Sequence, residues 1–282
     1  MTKWQNQIRA FTSPSNHRIC AIIVAYRPDT EKLSELIRAC LNQCSGIVLI
    51  NNGNPKNLSI PQHPRLKFIQ LEDNIGLASA QNLGVKWAKN GGYSHIVFFD
   101  QDSHPDQGLV SILSAAFETL ETMGARPAAV GPCLIDNRDG IRSPFVRFHL
   151  WGIKRIFPSE ATPFINCDFL ISSGLFTSIT RFHTIGTWED ALFIDNVDME
   201  WSFRARHQGY RCFGISAARL SHSLGTQVFR LEYFYLYSCP PKAILHQSQS
   251  NRSIPATLCS FELENTRHGT WISEISFNLL DF

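Results

Sequence analysis

The sequence predicts an α/β fold, with a mainly parallel central sheet flanked by helices in a single large domain. Three observations carry this. Short, continuous apolar runs alternate with segments of helical periodicity over the first 125 residues, as in strands buried on both faces and joined by crossover helices. Clusters of Asn, Asp, Gly and Pro separate the segments and supply turns. The 282 residues are enough to bury a substantial core.

Residues 1–18 are polar and irregular and read as a loose arm. Ile19, Cys20, Ala21, Ile22, Ile23, Val24 and Ala25 then form an unbroken apolar run, the first buried strand. Beyond Pro28 and Asp29, Leu33, Leu36, Ile37 and Leu41 recur at helical spacing, with Thr30 placed to cap the helix. A second buried strand over 47–50 is ended by Asn51-Asn52-Gly53-Asn54-Pro55, and 66–71 makes a third. Residues 77–89 read as a helix with Leu77, Ala80, Leu83, Gly84, Trp87 and Ala88 on one face. A strand over 95–99 and a helix over 108–122 complete the first half.

After Ala129-Val130-Gly131 the pattern loosens into Pro-, Gly- and Arg-rich loops as far as about residue 164. Helices are expected near 175–182 and 197–208, and a strand over 211–215. Composition shifts again after Ser238. Pro240-Pro241 leads into a polar stretch over 246–253, and 239–282 reads as a divergent tail. Trp271, Ile272, Ile275, Leu279 and Phe282 fall at near-helical intervals there, fit to dock on the body or a membrane surface, although Glu274 and Asp281 suit an anionic surface poorly.

A formal net charge of +2 argues against a dedicated nucleic-acid binder, which needs a clear basic excess for phosphate contacts. No run approaches the roughly 18 apolar residues of a membrane-spanning helix. The first eighteen residues hold Lys3, Arg9, His17 and Arg18 but no continuous apolar stretch, so a cytoplasmic chain is expected. The eight cysteines form no Cys-x-x-Cys pair. Cys40 and Cys44 lie one helical turn apart without a second Cys/His pair to complete a zinc site, and structural thiols are expected.

In an open α/β sheet, ligands bind beyond the carboxyl ends of the strands. The most informative end is Asp100-Gln101-Asp102, where a buried apolar strand runs into two carboxylates one residue apart. Alternation along extended chain lets both point to one side and share a hard cation such as Mg²⁺ or Mn²⁺, which also binds diphosphate oxygens. The plain alternative is a solvated turn. The small-residue stretch from Asn74 to Gly84 either admits an anion to a helix N-terminus or packs the helix tightly on the sheet. The chain lacks Gly-x-Gly-x-x-Gly after its first strand and lacks Gly-Lys-Ser/Thr throughout, which removes the main support for dinucleotide or NTPase chemistry. Asp198, at the start of a predicted helix, reads as a cap or as a general base in the cleft. Glu200 is four residues before Arg204 and fit to pair with it. His222 follows a predicted strand and is structural or a ligand. Arg204, Arg206, Arg211, Arg219 and Arg230 face only Glu232 among acids between residues 202 and 232, either a solvated basic face or one that attracts a lipid diphosphate and anionic headgroups.

Together these residues resemble the inverting family 2 glycosyltransferases of the GT-A fold, most nearly the bacterial rhamnosyltransferases of O-antigen assembly and their galactofuranosyltransferase relatives. Four segments carry the resemblance, which covers about residues 19–238: the first strand ending Val24-Ala25-Tyr26; Asn74-x-Gly76-x-Ala78-x-Ala80-x-Asn82-x-Gly84; Phe99-Asp100-Gln101-Asp102; and Phe193-Ile194-Asp195-x-x-Asp198-x-Glu200-Trp201-x-x-Arg204. It implies a nucleotide-sugar-binding half over 19–125 and an acceptor and catalytic half over 126–238. It further implies that Asp100, Asp102 and His222 hold Mg²⁺ or Mn²⁺ and that Asp198 is the base. Ala25, Tyr26, Asn51, Asn74, Gly76, Ala80 and Gln101 would surround the nucleotide. Ser172, Ser173, Gly174, Trp188, Asp195 and Glu200 would lie towards the acceptor. The implied partners are a dTDP-sugar donor, dTDP-β-L-rhamnose, and a polyprenyl-diphosphate-linked glycan acceptor, with peripheral contact at the cytoplasmic face of the inner membrane. Asn51-Asn52-Gly53 departs from the Asp-Asn-Gly of many relatives, which loses a charge near the base, and the resemblance fades beyond Ser238. A nucleotidyltransferase, a glycosidase using Asp100 and Asp198, and a binding protein without transferase activity are the competing readings.

Overall fold

A computed structural model gives the fold and describes residues 17–53, 58, 60–136, 140–149 and 152–222. Most of the arm and the whole tail from Cys239 lie outside the described residues, as do Arg230 and Glu232. The chain begins with β1 (Ile19–Ala25), α1 (Thr30–Leu41), β2 (Gly46–Asn51), β3 (Leu66–Gln70), α2 (Leu77–Asn90), β4 (His95–Asp100), β5 (His104–Pro105) and α3 (Leu109–Thr122). Then come β6 (Pro127–Asp136), a hairpin of β7 (Phe145–His149) and β8 (Gly152–Ile156), β9 (Phe164–Cys167), β10 (Phe176–Ser178) and α4 (Ile179–Ile185). A single 3₁₀ turn at Asp190–Leu192, α5 (Val197–His207) and β11 (Arg211–His222) close the described chain.

The main sheet has the order β3-β2-β1-β4-β10-β6-β11-β5, with β9 also pairing β11. Strands β1 to β4 are parallel. β10 inserts antiparallel between β4 and β6, and β6 pairs with β11 in parallel. The six long parallel strands therefore share one carboxyl end, which bears out the predicted α/β fold with a mainly parallel central sheet.

The core follows from the two-residue alternation of β1. Ile19, Ala21, Ile23 and Ala25 face Leu33, Leu36 and Ile37 of α1 and Leu113 and Phe117 of α3. Cys20, Ile22 and Val24 face the other layer, with Ala78, Ala80, Val85 and Ala88 of α2 and the aromatic group Phe98, Phe182, Trp188 and Trp201. Gly84 sets the depth of α2: a Cβ there would lie 2.6 Å from Ile22 Cγ2. The six described cysteines are buried free thiols, and burial pushes those of Cys20 and Cys212 up to about 12.

Four expectations need correction. Asp29, not Thr30, caps α1, its carboxylate accepting from the amides of Glu31 and Lys32, so the helix has its charge-dipole partner one residue earlier. The stretch expected as loops as far as about residue 164 contains strand β6 and the β7–β8 hairpin. The helix expected over 175–182 begins as strand β10 before continuing as α4, because Phe176 sits between β4 and β6 and takes strand geometry there. The strand expected over 211–215 runs on to His222, held by β6, β9 and β5.

Candidate active site

The carboxyl ends of β1, β2 and β4 meet in a ring of side-chain links. β4 ends at Asp100, the chain turns with Ser103 N donating to Asp100 O at 3.1 Å, and β5 crosses to β11. Gln101 reaches from this turn to β1, its Oε1 accepting from Tyr26 N at 2.7 Å. Tyr26 itself is 41% exposed, with the Arg27 guanidinium over its ring at 5.2 Å from the centroid. At the end of β2, Asn51 Nδ2 donates to Gln70 Oε1, and the neighbouring Asn52 is buried. Asn52 Nδ2 donates to Asn74 Oδ1 at 2.9 Å and Gly76 O at 3.1 Å, while its Oδ1 accepts from Ile75 N at 2.9 Å. One buried carboxamide thus fixes the loop that leads into α2.

The start of α2 bears on the two readings of its small residues. Gly76 has φ +86°, a conformation that costs glycine little. Leu77 N and Ala78 N both donate to the carbonyl of Phe193, at 2.6 and 3.1 Å. The first free amides are therefore taken by the chain itself, and Ala80 and Gly84 serve packing on the sheet. A Cβ at Gly76 would lie 2.7 Å from Phe193 Cδ2, so the glycine is what lets this strap close.

Phe193 and Asn196 both have φ +61°, and the strap between them leads directly into α5. Asn196 makes no side-chain cap, and Asp198 does not cap in the usual sense either. Its Oδ2 accepts from Ser172 N at 2.9 Å, a residue from the far side of β10, and its Oδ1 accepts from Met199 N at 2.8 Å. Burial raises the Asp198 carboxyl from 3.8 to about 6; these amides oppose the rise and the negative charge of Asp100 adds to it. Ser173 carries the frame onward. Its Oγ lies 2.7 Å from Ser103 Oγ and accepts weakly from Asp100 N at 3.5 Å. Gly174 N donates to Phe98 O at 2.7 Å. The short segment 172–174 therefore ties Asp198 to the Asp100 turn, and the two carboxylates sit in one electrostatic field. A carboxylate with a pKa near 6 beside a cleft can take a proton from a hydroxyl near neutral pH.

No family model matches the chain. A search of characterised proteins finds the dTDP-rhamnosyl transferase RfbF of Shigella flexneri, 30% identical over 220 residues that cover 77% of this chain and 72% of the relative. The chain belongs to this rhamnosyltransferase family. Among solved structures, GalNAc-T7, crystallised with UDP, GalNAc and Mn²⁺, superposes with a TM-score of 0.57 at 15% identity. The match covers 75% of this chain but only 45% of that one, and it supports the GT-A fold. The protein is a glycosyltransferase.

Within this transferase the other singled-out residues have varied places. Asn74 and Asp195 are both exposed. Ala25 is buried, and its carbonyl accepts from Asn52 N. Glu200 forms two hydrogen bonds with Arg204, at 2.6 and 2.9 Å, and Arg204 also donates to the carbonyls of Ile185 and Thr187. This pairing is the helical alternative read from the sequence. Ser173 and Trp188, expected towards the acceptor, are 0% and 2% exposed; Trp188 packs on Phe98, Phe182 and Trp201 as part of the core. Gly174, with φ +81°, lies against Pro132 and Leu220. The expected basic face is divided. Arg204 ties down the segment before α5, Arg206 pairs with Asp168, and Arg211 and Arg219 begin the two stretches of β11 that pair with β6 on either side of a register shift. Asn52, Ser103 and the Phe193 carbonyl were not singled out. Asn52 stood inside a recognised turn, whereas a backbone carbonyl has no signal in sequence.

Asp100 and Asp102 offer two hard oxygen donors at a strand end, which suits Mg²⁺ or Mn²⁺ with substrate and water completing the shell. Among the described residues no three His, Cys, Asp or Glu side chains cluster to hold a metal, and the side chain of His222 lies outside that description. Its chain neighbour Ser221 pairs with His104, two residues beyond Asp102.

Proposed function

We propose that this glycosyltransferase moves L-rhamnose, from dTDP-β-L-rhamnose, with inversion onto a lipid-linked glycan in cell-surface polysaccharide assembly. The observation that carries the mechanism is Asp198, fixed by the Ser172 amide next to Asp100 with its pKa raised to about 6. As the acceptor hydroxyl oxygen bonds to the anomeric carbon, Asp198 takes the hydroxyl proton. The bond from that carbon to the diphosphate oxygen breaks on the opposite face, and dTDP leaves with the electron pair. Asp100 and Asp102 would hold the divalent cation, which supplies positive charge to the leaving diphosphate. Tyr26, Asn51, Asn74 and Gln101 would line the nucleotide, with Asp195 at the acceptor side. The name of the Shigella relative supports the donor, and the resemblance of the four segments supports an O-antigen acceptor.

Among the described residues no helix is long and apolar enough to cross a membrane. Access to a lipid-linked acceptor would then come from peripheral contact at the cytoplasmic face of the inner membrane.

The test is turnover of a panel of dTDP-, UDP- and GDP-sugars, with and without lipid-linked acceptors, measured as released nucleotide and glycosylated product. Transfer from dTDP-rhamnose that EDTA abolishes and Mg²⁺ or Mn²⁺ restores is expected. Preference for another sugar would overturn the donor; dTDP binding without any transfer would leave a binding protein.

A further inference from the structure

The end of the sheet opposite the carboxylates carries a second polar site. β10 runs antiparallel to both β4 and β6, so β4, β6 and β11 share a direction. Arg211 pairs with Pro127 at the amino ends of β11 and β6, a strand length away from Asp100. There a cavity of about 300 Å³ opens between β7, β9, the last turn of α5 and the start of β11. Arg147, Arg206 and Arg211 line it, together with Asp168, Asn166 and Tyr210.

The charges in this cavity do not balance. Three guanidiniums meet one carboxylate, a surplus of two positive charges. Asp168 is 7% exposed and both its oxygens are engaged: Oδ2 accepts from Phe148 N at 2.6 Å, and Oδ1 pairs with Arg206 Nη1 at 3.1 Å. Arg147 Nε is buried with no hydrogen-bond partner among the described residues. Buried donors in native proteins are nearly always satisfied, so an orphaned one in a polar cavity points to an acceptor from outside. The wall is also held firmly. Tyr210 lies between the guanidiniums of Arg126 and Arg181, 4.7 and 4.3 Å from its ring centroid, and Arg181 is anchored to Glu121 and to the Pro127 carbonyl.

We propose that this cavity binds a phosphate group, as a phosphomonoester or diphosphate, separately from the sugar-transfer site. Guanidinium forks match phosphate oxygens in geometry and charge, and the volume suits a small phosphorylated molecule or a lipid headgroup. Asn166 adds a carboxamide for a neighbouring hydroxyl. The site stands or falls independently of the proposed donor and acceptor.

The test is isothermal titration of the full chain with inorganic phosphate at low salt, in EDTA and saturating dTDP so that any nucleotide site is filled. One equivalent of phosphate should bind the wild type. Affinity should fall at least tenfold in both Arg147→Gln and Arg211→Gln, and stay unchanged in Arg38→Gln on α1. Arg211 is exposed, so its variant reports even where Arg147→Gln fails to fold. Absence of binding to wild type, or wild-type affinity retained in both cavity variants, overturns the proposal. Flotation with vesicles of phosphatidylcholine, with or without phosphatidylglycerol, assigns the source. Retention by the anionic vesicles that Arg211→Gln abolishes identifies a headgroup, and phosphate binding without retention identifies a soluble ligand; either supports the site.

Discussion

Replacing Asp198 by Asn should kill activity and stabilise the fold at the same time. In the folded chain the carboxyl ionises near pH 6 rather than 3.8, so at neutral pH carrying the charge costs about 3 kcal/mol relative to the unfolded chain. The sign follows from the direction of the shift. A raised carboxyl favours the fold while protonated, fully below about pH 3.8, and that contribution is lost as pH rises through about 6. An Asn removes the charge but keeps only one oxygen for the amides of Ser172 and Met199, giving back about 1 kcal/mol. The net gain near pH 7.5 is about 2 kcal/mol, or about 4 °C in Tm for a chain of this size. Thermal melts of both proteins at pH 7.5 and pH 4 read it: the gap should be present at the first and vanish or reverse at the second. Turnover should fall by about 10²-fold or more, and wild-type kcat/KM should rise with pH through about 6. A gap in Tm that is the same at both pH values would refute the buried-charge reasoning. A flat activity profile between pH 5 and 8 would refute the role as base.

The remaining predictions separate structural from substrate-binding roles. Asn52→Ala strips partners from Asn74, Ile75 and Gly76; it should lower stability by about 2–3 kcal/mol in denaturant unfolding and raise the donor KM, and an unchanged KM would detach the loop from donor binding. Trp188→Ala empties part of the aromatic core and should cost about 3–5 kcal/mol, read from the shift in denaturant midpoint, whereas loss of acceptor affinity at unchanged stability would restore it to the acceptor side.

The sheet was largely legible because its central strands are buried on both faces. Such strands read as apolar runs, and the turn residues that end them also mark the cleft. The second half was harder for physical reasons. β7 and β8 form a two-stranded hairpin in which β7 is mostly half-buried and β8 mostly exposed, so no alternation of burial marks them. Leu175, Phe176, Ile179 and Phe182 occur at helical spacing, yet the first two are buried by the sheet and tertiary context decides their geometry. The carboxylates stood out as acidic residues at the ends of apolar segments. Their relation did not, because the amide joining Asp198 to the Asp100 turn is 26 residues away in sequence. Trp188, placed towards the acceptor by resemblance alone, lies buried beside three other aromatic rings, a neighbourhood that no local pattern in the sequence reveals.

The strap from Phe193 to Asn196 explains how the two halves of the cleft keep their spacing. Two non-glycine residues at φ +61° each cost on the order of 1 kcal/mol, so the conformation persists only if something over-determines it. The Phe193 carbonyl satisfies two otherwise free amides at the start of α2, and α5 begins directly after Asn196 with Asp198 locked by Ser172. The loop held by Asn52 and the helix that carries Asp198 are thereby joined through a single residue's backbone. Shifting the strap would release two helix-terminal donors and move the carboxylate together. The strain is offset by bonds that also set the distance between the loop at Asn74 and the base.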